Sequence, residues 1–174
     1  MLVYVNSGGI EEVHPEKGGE NMLAKAVRFV RLPLVFISIW AVARFIMGLA
    51  GVPYAPRGNA VFSVVMMTTI SSLYFGALSA RIGNFNWLGT ALVGATMAVY
   101  AQILILLATI ISVAGGLETY FVHWDALNLP MDSPPITMGQ AFAIRLPGLV
   151  INTILAALFA IIGRLFAGLA PRQA

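Results

Sequence analysis

The sequence predicts an all-α integral membrane protein: a bundle of four transmembrane helices with both termini on the cytoplasmic side. Of its 174 residues, 59% are hydrophobic and only 10% are charged, whereas soluble domains average about 45–50% apolar and about 25% charged residues. The apolar residues form long runs, and none of these alternates apolar with polar residues as the strands of a membrane β-barrel do. We therefore expect lipid to be the solvent for most of the chain.

Four apolar runs have lengths close to the roughly 20 residues that a helix needs to cross a bilayer. They cover 32–52, 59–80, 87–113 and 141–169. Pro33 stands at the start of the first run, where the missing N–H of proline costs nothing, and Gly51 and Pro53 end it. The third run exceeds the thickness of the hydrocarbon core, so we expect it to tilt. Residues 25–174 then form one membrane domain, whose longest connection is the outer loop 114–140.

Residues 1–24 precede the first run and are expected to form a polar tail. They lack the basic segment followed by an apolar segment that marks a secretory signal. Lys17, Gly18 and Gly19 stand just before Met22, and a translated purine-rich ribosome-binding site would read in much this way. Met22 is therefore a second candidate start of the chain.

The basic residues predict the orientation. Of the ten Lys and Arg residues, Arg44 lies near the middle of a run, seven lie near or beyond the ends of the runs on the side of the N-terminus, and two lie near or beyond the ends on the other side. The seven are Lys17, Lys25, Arg28, Arg31, Arg81, Arg164 and Arg172, and the two are Arg57 and Arg145. Because Lys and Arg accumulate on the cytoplasmic side of spans, we expect both termini in the cytoplasm, with a bacterial inner membrane as the setting.

Arg44 is expected near the middle of the first span, where an arginine costs about 2.5–3.5 kcal/mol on insertion scales. Polar residues of the other spans fall at a similar expected depth and define a candidate intramembrane polar site. Its members are Arg44, Thr68, Thr69, Ser72, Tyr100, Gln102 and Asn152. Because none of them is acidic, we expect the guanidinium to bond to carbonyl, hydroxyl and amide oxygens within the bundle. The alternative is an acceptor from outside the chain: a partner's carboxylate, a lipid phosphate, a quinone or pigment carbonyl, or a translocated anion.

Small and polar side chains recur at every fourth position in three of the runs, and residues at this spacing share one face of a helix. The three rows are Thr68, Ser72, Gly76 and Ala80; Thr90, Gly94, Ala98 and Gln102; and Asn152, Ala156, Ala160 and Arg164. Such rows let the backbones of membrane helices approach closely. We expect Ser72, Gly76, Gly94, Ala98, Ala156 and Ala160 to pack helices inside the bundle, with an oligomer or partner face as the alternative.

The outer loop is too apolar for a free linker. Leu117, Tyr120, Phe121, Trp124 and Leu127 recur at helical spacing, which predicts a short amphipathic helix on the outer membrane surface. Four of the loop residues are candidates for docking a partner: Tyr120, His123, Trp124 and Asp125. A metal site at His123 is not expected, because Glu118 and Asp125 do not share its helical face.

The sequence lacks the residues that most catalytic chemistries require. Without cysteine there is no thiolate nucleophile, iron–sulfur cluster or zinc–thiolate site. The sequence has no Asp or Glu between Glu20 and Glu118, whereas membrane hydrolases and transferases need carboxylate pairs, histidine clusters or a nucleophile with its base. There is also no basic, aromatic surface for nucleic acid. We therefore expect neither enzymatic activity nor a cofactor, metal or nucleic-acid partner.

Two functions fit these restrictions. The first is a non-catalytic accessory or assembly subunit, held in a larger membrane complex by the small-residue rows and the outer loop. The second is a small homo-oligomeric channel or transporter, in which Arg44 binds an anionic or carbonyl-bearing substrate. The lipid bilayer is a partner in both, together with other membrane subunits in the first and further copies of the chain in the second.

Overall fold

The computed structural model describes residues 21–54 and 63–169, and every regular element in this part of the chain is helical. The α-helices are α1 (Met22–Phe29), α2 (Arg31–Leu49), α3 (Val64–Arg81), α4 (Trp87–Gly115) and α5 (Met138–Leu165), and short 3-10 turns cover Asp125–Leu127 and Phe166–Leu169. Three segments are long and apolar enough to cross a membrane: Arg31–Leu49, Trp87–Gly115 and Met138–Gly168, with mean hydropathies of 2.0, 2.3 and 2.2. The fold is thus an all-helical one of the kind that membrane bundles have.

The first, third and fourth apolar runs of the sequence correspond closely to α2, α4 and the Met138–Gly168 segment. The second run corresponds to α3, which is described from Val64 onwards and is less apolar because it carries Thr68, Thr69, Ser71 and Ser72. The start of that run at 59–62 lies outside the described residues. So do most of the predicted tail and the flanking residues Lys17, Arg57 and Arg172.

Polar side chains cap the starts of α1, α3, α4 and α5, as expected where the first backbone N–H groups lack partners inside the helix. Asn86 accepts from Gly89 N at the start of α4, at 2.8 Å. Thr137 and Gln140 form a reciprocal capping box at the start of α5. At its C-terminal end α4 stops at Gly116, whose φ of 61° is left-handed and readily adopted by glycine.

Helix α1 was not predicted, and it shows that residues 22–24 belong to a helix rather than to the polar tail. The side chain of Asn21 accepts from Leu23 N at 3.0 Å and begins α1. Ala26 and Val30 are fully buried, while Lys25 lies over the ring of Phe85, 4.6 Å from its centroid. One face of α1 is therefore packed against the bundle.

Successive long helices alternate in direction. Phe29, just before α2, contacts Phe85, just before α4, with ring centroids 5.3 Å apart. At the opposite end, Phe45 of α2 packs near Phe121, which follows α4. These two ends are called the Phe85 end and the Phe121 end below. Helices α2 and α4 run from the Phe85 end to the Phe121 end, and α3 and α5 run the other way.

Close backbone contacts join α5 to α3 and α4. A Cβ atom added at Gly76 would overlap the backbone of Ala160, and one added at Gly94 would overlap the backbone of Ala156. A Cβ at Gly163 would overlap the carbonyl oxygen of Leu73. The three small-residue rows therefore meet one another inside the bundle, where small side chains permit contact between helix backbones.

Two arginines of α5 hold loops at the two ends of the bundle. At the Phe85 end, Arg164 Nη1 donates to the carbonyl oxygen of Phe85 at 2.6 Å and to Thr90 Oγ1 at 2.7 Å. At the Phe121 end, Arg145 donates through Nη2 to the carbonyl oxygen of Phe121 at 2.6 Å and through Nε to Thr109 Oγ1 at 3.2 Å. Each arginine thus links α5 to a threonine of α4 and to a neighbouring loop.

The predicted amphipathic helix in the outer loop is wrong. Residues 117–137 form turns and irregular backbone, with the 3-10 turn Asp125–Leu127 as their helical part. Thr119, Tyr120, Phe121 and Leu127 are buried. Gly48 makes this possible, because its missing Cβ lets the backbone of Thr119 and Tyr120 lie directly against α2. The apolar residues that suggested a membrane-surface helix instead close the end of the bundle.

A two-arginine cavity as the candidate functional site

Arg44 lies in the C-terminal half of α2 and is 8% exposed. Aromatic rings surround its guanidinium, since Cζ lies 5.4 Å from the ring centroid of Tyr54, 5.5 Å from that of Tyr120 and 5.9 Å from that of Phe121. Its Nη2 also contacts Tyr54 Oη at 3.5 Å. Cation–π contacts with several rings offset part of the free energy that burial of the charge costs.

The segment after α2 is held in place by the outer loop. Tyr120 Oη donates to the carbonyl oxygen of Val52 at 2.6 Å, and the ring of Tyr54 meets that of Tyr120 edge to face at 5.3 Å. On its other side Tyr54 stacks on His123, with ring centroids 4.3 Å apart. The position of Tyr54 beside Arg44 therefore depends on the folded form of the outer loop.

Arg44 and Arg145 line the same cavity, which has a volume of about 220 Å³. Its wall combines parts of α2, α3, α4, α5 and the outer loop. The described lining residues are Arg44, Tyr54, Ser63, Val64, Val65, Ile105, Tyr120, Phe121, Ala126 and Arg145. None of these is acidic, so two guanidinium groups and two tyrosines are the polar side chains best suited to meet a ligand there.

A second, wider cavity of about 600 Å³ opens at the same end of the bundle. Tyr54 and Tyr120 line both cavities. Its remaining wall comes from the ends of α2 and α4 and from the outer loop, including His123, Trp124 and Pro134. The outer loop thus separates the buried arginines from a broad concave surface.

The structure does not bring the other members of the predicted intramembrane polar site to the cavity that Arg44 lines. Arg44 lies about one and a half turns before the end of α2, nearer the Phe121 end than the sequence indicated. Thr68 and Thr69 donate to the carbonyl oxygens of Val64 and Val65, one turn earlier in α3. Tyr100 Oη shares a 2.7 Å hydrogen bond with Ser38 Oγ. These three side chains are therefore bonded elsewhere, and none of them lines the Arg44 cavity.

The other three predicted members are also away from that cavity. Ser72 Oγ is buried and has no hydrogen-bond partner among the described residues. Gln102 is a buried residue of α4, and Asn152 is a half-buried residue of α5. Arg145, which lines the same cavity as Arg44, was predicted from the sequence only to mark one end of a span. The sequence feature that could have pointed to this position is an arginine just inside an apolar run.

The four candidate docking residues differ in exposure. Tyr120 is 3% exposed and acts inside the fold. His123 and Trp124 are half-buried with ring centroids 5.2 Å apart, and Asp125 is exposed. His123 Nδ1 accepts from Asp125 N at 3.3 Å. Within the described residues, no three His, Cys, Asp or Glu side chains are grouped as a metal ion would require.

Comparison of the chain with protein families, with curated proteins and with solved structures finds no match.

Proposed function

We propose that the protein is a non-catalytic accessory or assembly subunit of a larger membrane complex. The observation that supports this most is the close packing at Gly76, Gly94 and Gly163, where the helix backbones leave no room for a methyl group. A pathway or substrate site between α3, α4 and α5 would need open space on these faces. The bundle is instead built as a compact scaffold.

We propose that the chain crosses the membrane four times, with α3 as the additional span. Its first turn shares the Arg44 cavity at the Phe121 end, and Phe75 contacts Phe29 of α1 at 5.6 Å towards the other end. A helix that runs beside three apolar helices over this distance would share their membrane layer. An even number of spans would put both termini on one side.

The two arginines of α5 support the placement of the bundle in a bilayer. Arg145 and Arg164 are nineteen residues apart, and so are their partners Thr109 and Thr90. At about 1.5 Å per residue the separation is about 28 Å, close to the ≈30 Å thickness of the hydrocarbon core. Both guanidinium groups would then lie at its boundaries, where arginine is less costly than at its centre.

We assign the Phe85 end to the cytoplasm. Lys25, Arg28, Arg31, Arg81 and Arg164 belong to this end, in keeping with the excess of Lys and Arg on cytoplasmic flanks. The opposite, outer end carries Glu118, Asp125 and Asp132 in its long loop. A bacterial inner membrane is the setting that we propose.

The surface that we propose for partner contact is the outer end, around the 600 Å³ cavity. The small-residue rows are used within the bundle, so they are not available to a partner. His123 and Trp124 line the cavity, and Asp125 is exposed beside them. A partner could therefore combine apolar, aromatic and charged contacts there.

Gentle extraction followed by native mass measurement tests this proposal. A complex of fixed stoichiometry with a different membrane protein is expected, and Trp124→Ala should lower its yield. Leu88→Ala is the control, since Leu88 is exposed at the other end of the bundle. A monomer that carries no other protein would contradict the proposal.

A small homo-oligomeric channel or transporter is the second candidate function. It is favoured by one observation, the cavity in which Arg44 and Arg145 lie together, because an anionic or carbonyl-bearing substrate could bind there. Its pathway would have to lie between copies, since the centre of the bundle is filled. In the same mass measurement, a homo-oligomer of fixed size would favour it over the first candidate.

A further inference from the structure

His123 is held in a stack of rings on the wall of the larger cavity. Its ring lies nearly parallel to that of Tyr54, with centroids 4.3 Å apart and an angle of 18° between the planes, and the Trp124 ring follows at 5.2 Å. His123 is half-buried and lines the 600 Å³ cavity at the Phe121 end. The imidazole is therefore fixed in position and still in contact with solvent.

One hydrogen bond fixes the charge state of this imidazole. Asp125 N donates to His123 Nδ1 at 3.3 Å. A ring nitrogen accepts a hydrogen bond only when it carries no proton, so this arrangement requires a neutral imidazole whose proton is on Nε2. Protonation makes both ring nitrogens donors, and the N–H of Asp125 then loses its acceptor.

This hydrogen bond lies at the start of a turn in the outer loop. Asp125 begins the 3-10 turn Asp125–Leu127, and the N–H groups of Leu127 and Leu129 donate to the carbonyl oxygen of Trp124 at 3.1 and 2.9 Å. The side chain of Leu127 is buried. The neutral imidazole thus caps the turn that places Leu127 in the end of the bundle.

The charges around His123 favour movement of a protonated ring away from Tyr54. Arg44 Cζ lies 5.4 Å from the centroid of the same Tyr54 ring, so an imidazolium stacked there is repelled by a second cation. The side chains of Glu118 and Asp125 are exposed and attract the imidazolium towards solvent. The charged and titratable groups that the structure describes on the elements packed around the ring are Arg44, Tyr54, Glu118, Tyr120, Asp125, Asp132 and Arg145.

We propose that His123 is a pH-sensitive switch of the outer loop. The neutral ring stacks on Tyr54 and accepts the hydrogen bond from Asp125 N. The protonated ring loses that hydrogen bond and leaves Tyr54 for the acidic, exposed side of the loop, and the 3-10 turn loosens. Histidine is the side chain whose charge ordinarily changes between about pH 5 and 8, so a proton is the only ligand required. This inference goes beyond the proposed subunit function; where that function holds, acidification also alters the partner surface at His123 and Trp124.

Amide hydrogen exchange of the purified full chain in a non-ionic detergent tests the proposal. Protection of the backbone N–H groups is measured at about pH 8 and about pH 5, the two ends of the range in which histidine titrates, and corrected for the intrinsic pH dependence of exchange. We expect protection over residues 125–129 to fall roughly three- to tenfold at the lower pH, as the loss of one hydrogen bond implies. Protection within α4 should not change. Equal protection of residues 125–129 at both pH values overturns the proposal.

The two histidines of the chain provide a variant and its matched control. The sequence holds His14 and His123 and no other histidine. His123→Gln cannot gain a charge, so its protection over residues 125–129 should be the same at both pH values. His14→Gln should show the fall seen in the wild type. A fall that persists in His123→Gln, or that disappears in His14→Gln, contradicts the proposal.

His123→Phe covers the case in which the glutamine variant does not fold. A phenyl ring keeps the contact with Tyr54 but offers no acceptor to Asp125 N. We expect its protection over residues 125–129 to be equal at both pH values and below that of the wild type at the higher pH. Protection that still depends on pH would contradict the role of His123. These measurements use the chain alone, so their outcome is separate from that of the native mass measurement.

Discussion

Arg164 and Thr90 join α5 to α4 through a 2.7 Å hydrogen bond from Arg164 Nη1 to Thr90 Oγ1. Thr90 Oγ1 also shares a 2.7 Å hydrogen bond with Ser79 Oγ of α3, and Ser79 donates to the carbonyl oxygen of Gly76. A single arginine thus begins a hydrogen-bonded chain across three helices. The ring of Trp87 lies 4.7 Å from the same guanidinium.

Replacing this arginine should destabilise the bundle. We expect Arg164→Gln to lower the free energy of unfolding by about 1–3 kcal/mol, because the carbonyl oxygen of Phe85 loses a charged donor. Arg81→Gln removes the same charge at the same end and should change the value by less than about 0.5 kcal/mol. Reversible unfolding in mixed micelles measures both. Equal losses would mean that net charge, rather than the hydrogen-bonded chain, is responsible.

Glycine positions on α5 should differ sharply in their tolerance of a methyl group. Gly163→Ala forces the new Cβ into the carbonyl oxygen of Leu73, whereas the nearest such neighbour of Gly148 is the Asn152 side-chain nitrogen at 3.8 Å. We expect Gly163→Ala to cost about 1–3 kcal/mol through overpacking and Gly148→Ala to cost almost nothing. The melting temperatures of the two variants in detergent provide the comparison. Similar temperatures would argue against tight packing of α3 on α5.

Replacement of Ser72 by alanine should not destabilise the bundle. Its buried Oγ has no hydrogen-bond partner among the described residues, and burial of an unpaired hydroxyl costs about 1–3 kcal/mol. Ser72→Ala should therefore leave stability unchanged or raise it, while Ser79→Ala should lower it, because Ser79 is bonded to both Thr90 and Gly76. Chemical denaturation of the two variants measures this contrast. A larger loss for Ser72→Ala than for Ser79→Ala would contradict it.

The hydroxyl of Tyr120 should hold residues 51–54, the segment beside Arg44, in place. Tyr120→Phe loses the hydrogen bond to the carbonyl oxygen of Val52, a loss worth about 0.5–1.5 kcal/mol. We expect faster amide hydrogen exchange over residues 51–54, because this bond ties the segment to the outer loop. Tyr74→Phe, at an exposed ring of α3, is the control and should exchange there at the wild-type rate. Amide exchange over residues 51–54 at the wild-type rate in Tyr120→Phe would contradict the proposed role of this hydrogen bond.

Hydropathy predicts the long helices of this chain well, because a lipid environment requires unbroken apolar runs. The runs that correspond to α2 and α4 therefore began and ended close to the observed helices. The same criterion missed α1, which is short and mixed in character, with Lys25 and Arg28 beside buried Ala26. It also misread the outer loop, since helical spacing of Tyr120 and Phe121 does not distinguish a surface helix from turns that bury aromatic rings.

The candidate site was predicted only in part, for a geometric reason. Counting residues along each run placed Arg44 at the depth of Gln102 and Asn152, on the assumption that the spans begin and end at matching levels. The observed end of α2 at Leu49 puts Arg44 closer to the loops. The meeting of Arg44 with Arg145 then depends on the fold of the outer loop, which local sequence does not determine.

The placement of the bundle in a membrane underlies the proposed partner surface, and single-cysteine labelling tests this placement most directly. The chain has no cysteine of its own, so Asn84→Cys and Asp132→Cys each introduce one reactive thiol at opposite ends. In sealed cells or spheroplasts, an impermeant maleimide should label Asp132→Cys at once, and Asn84→Cys only after permeabilisation. Labelling of both thiols from the same side would contradict the proposed topology.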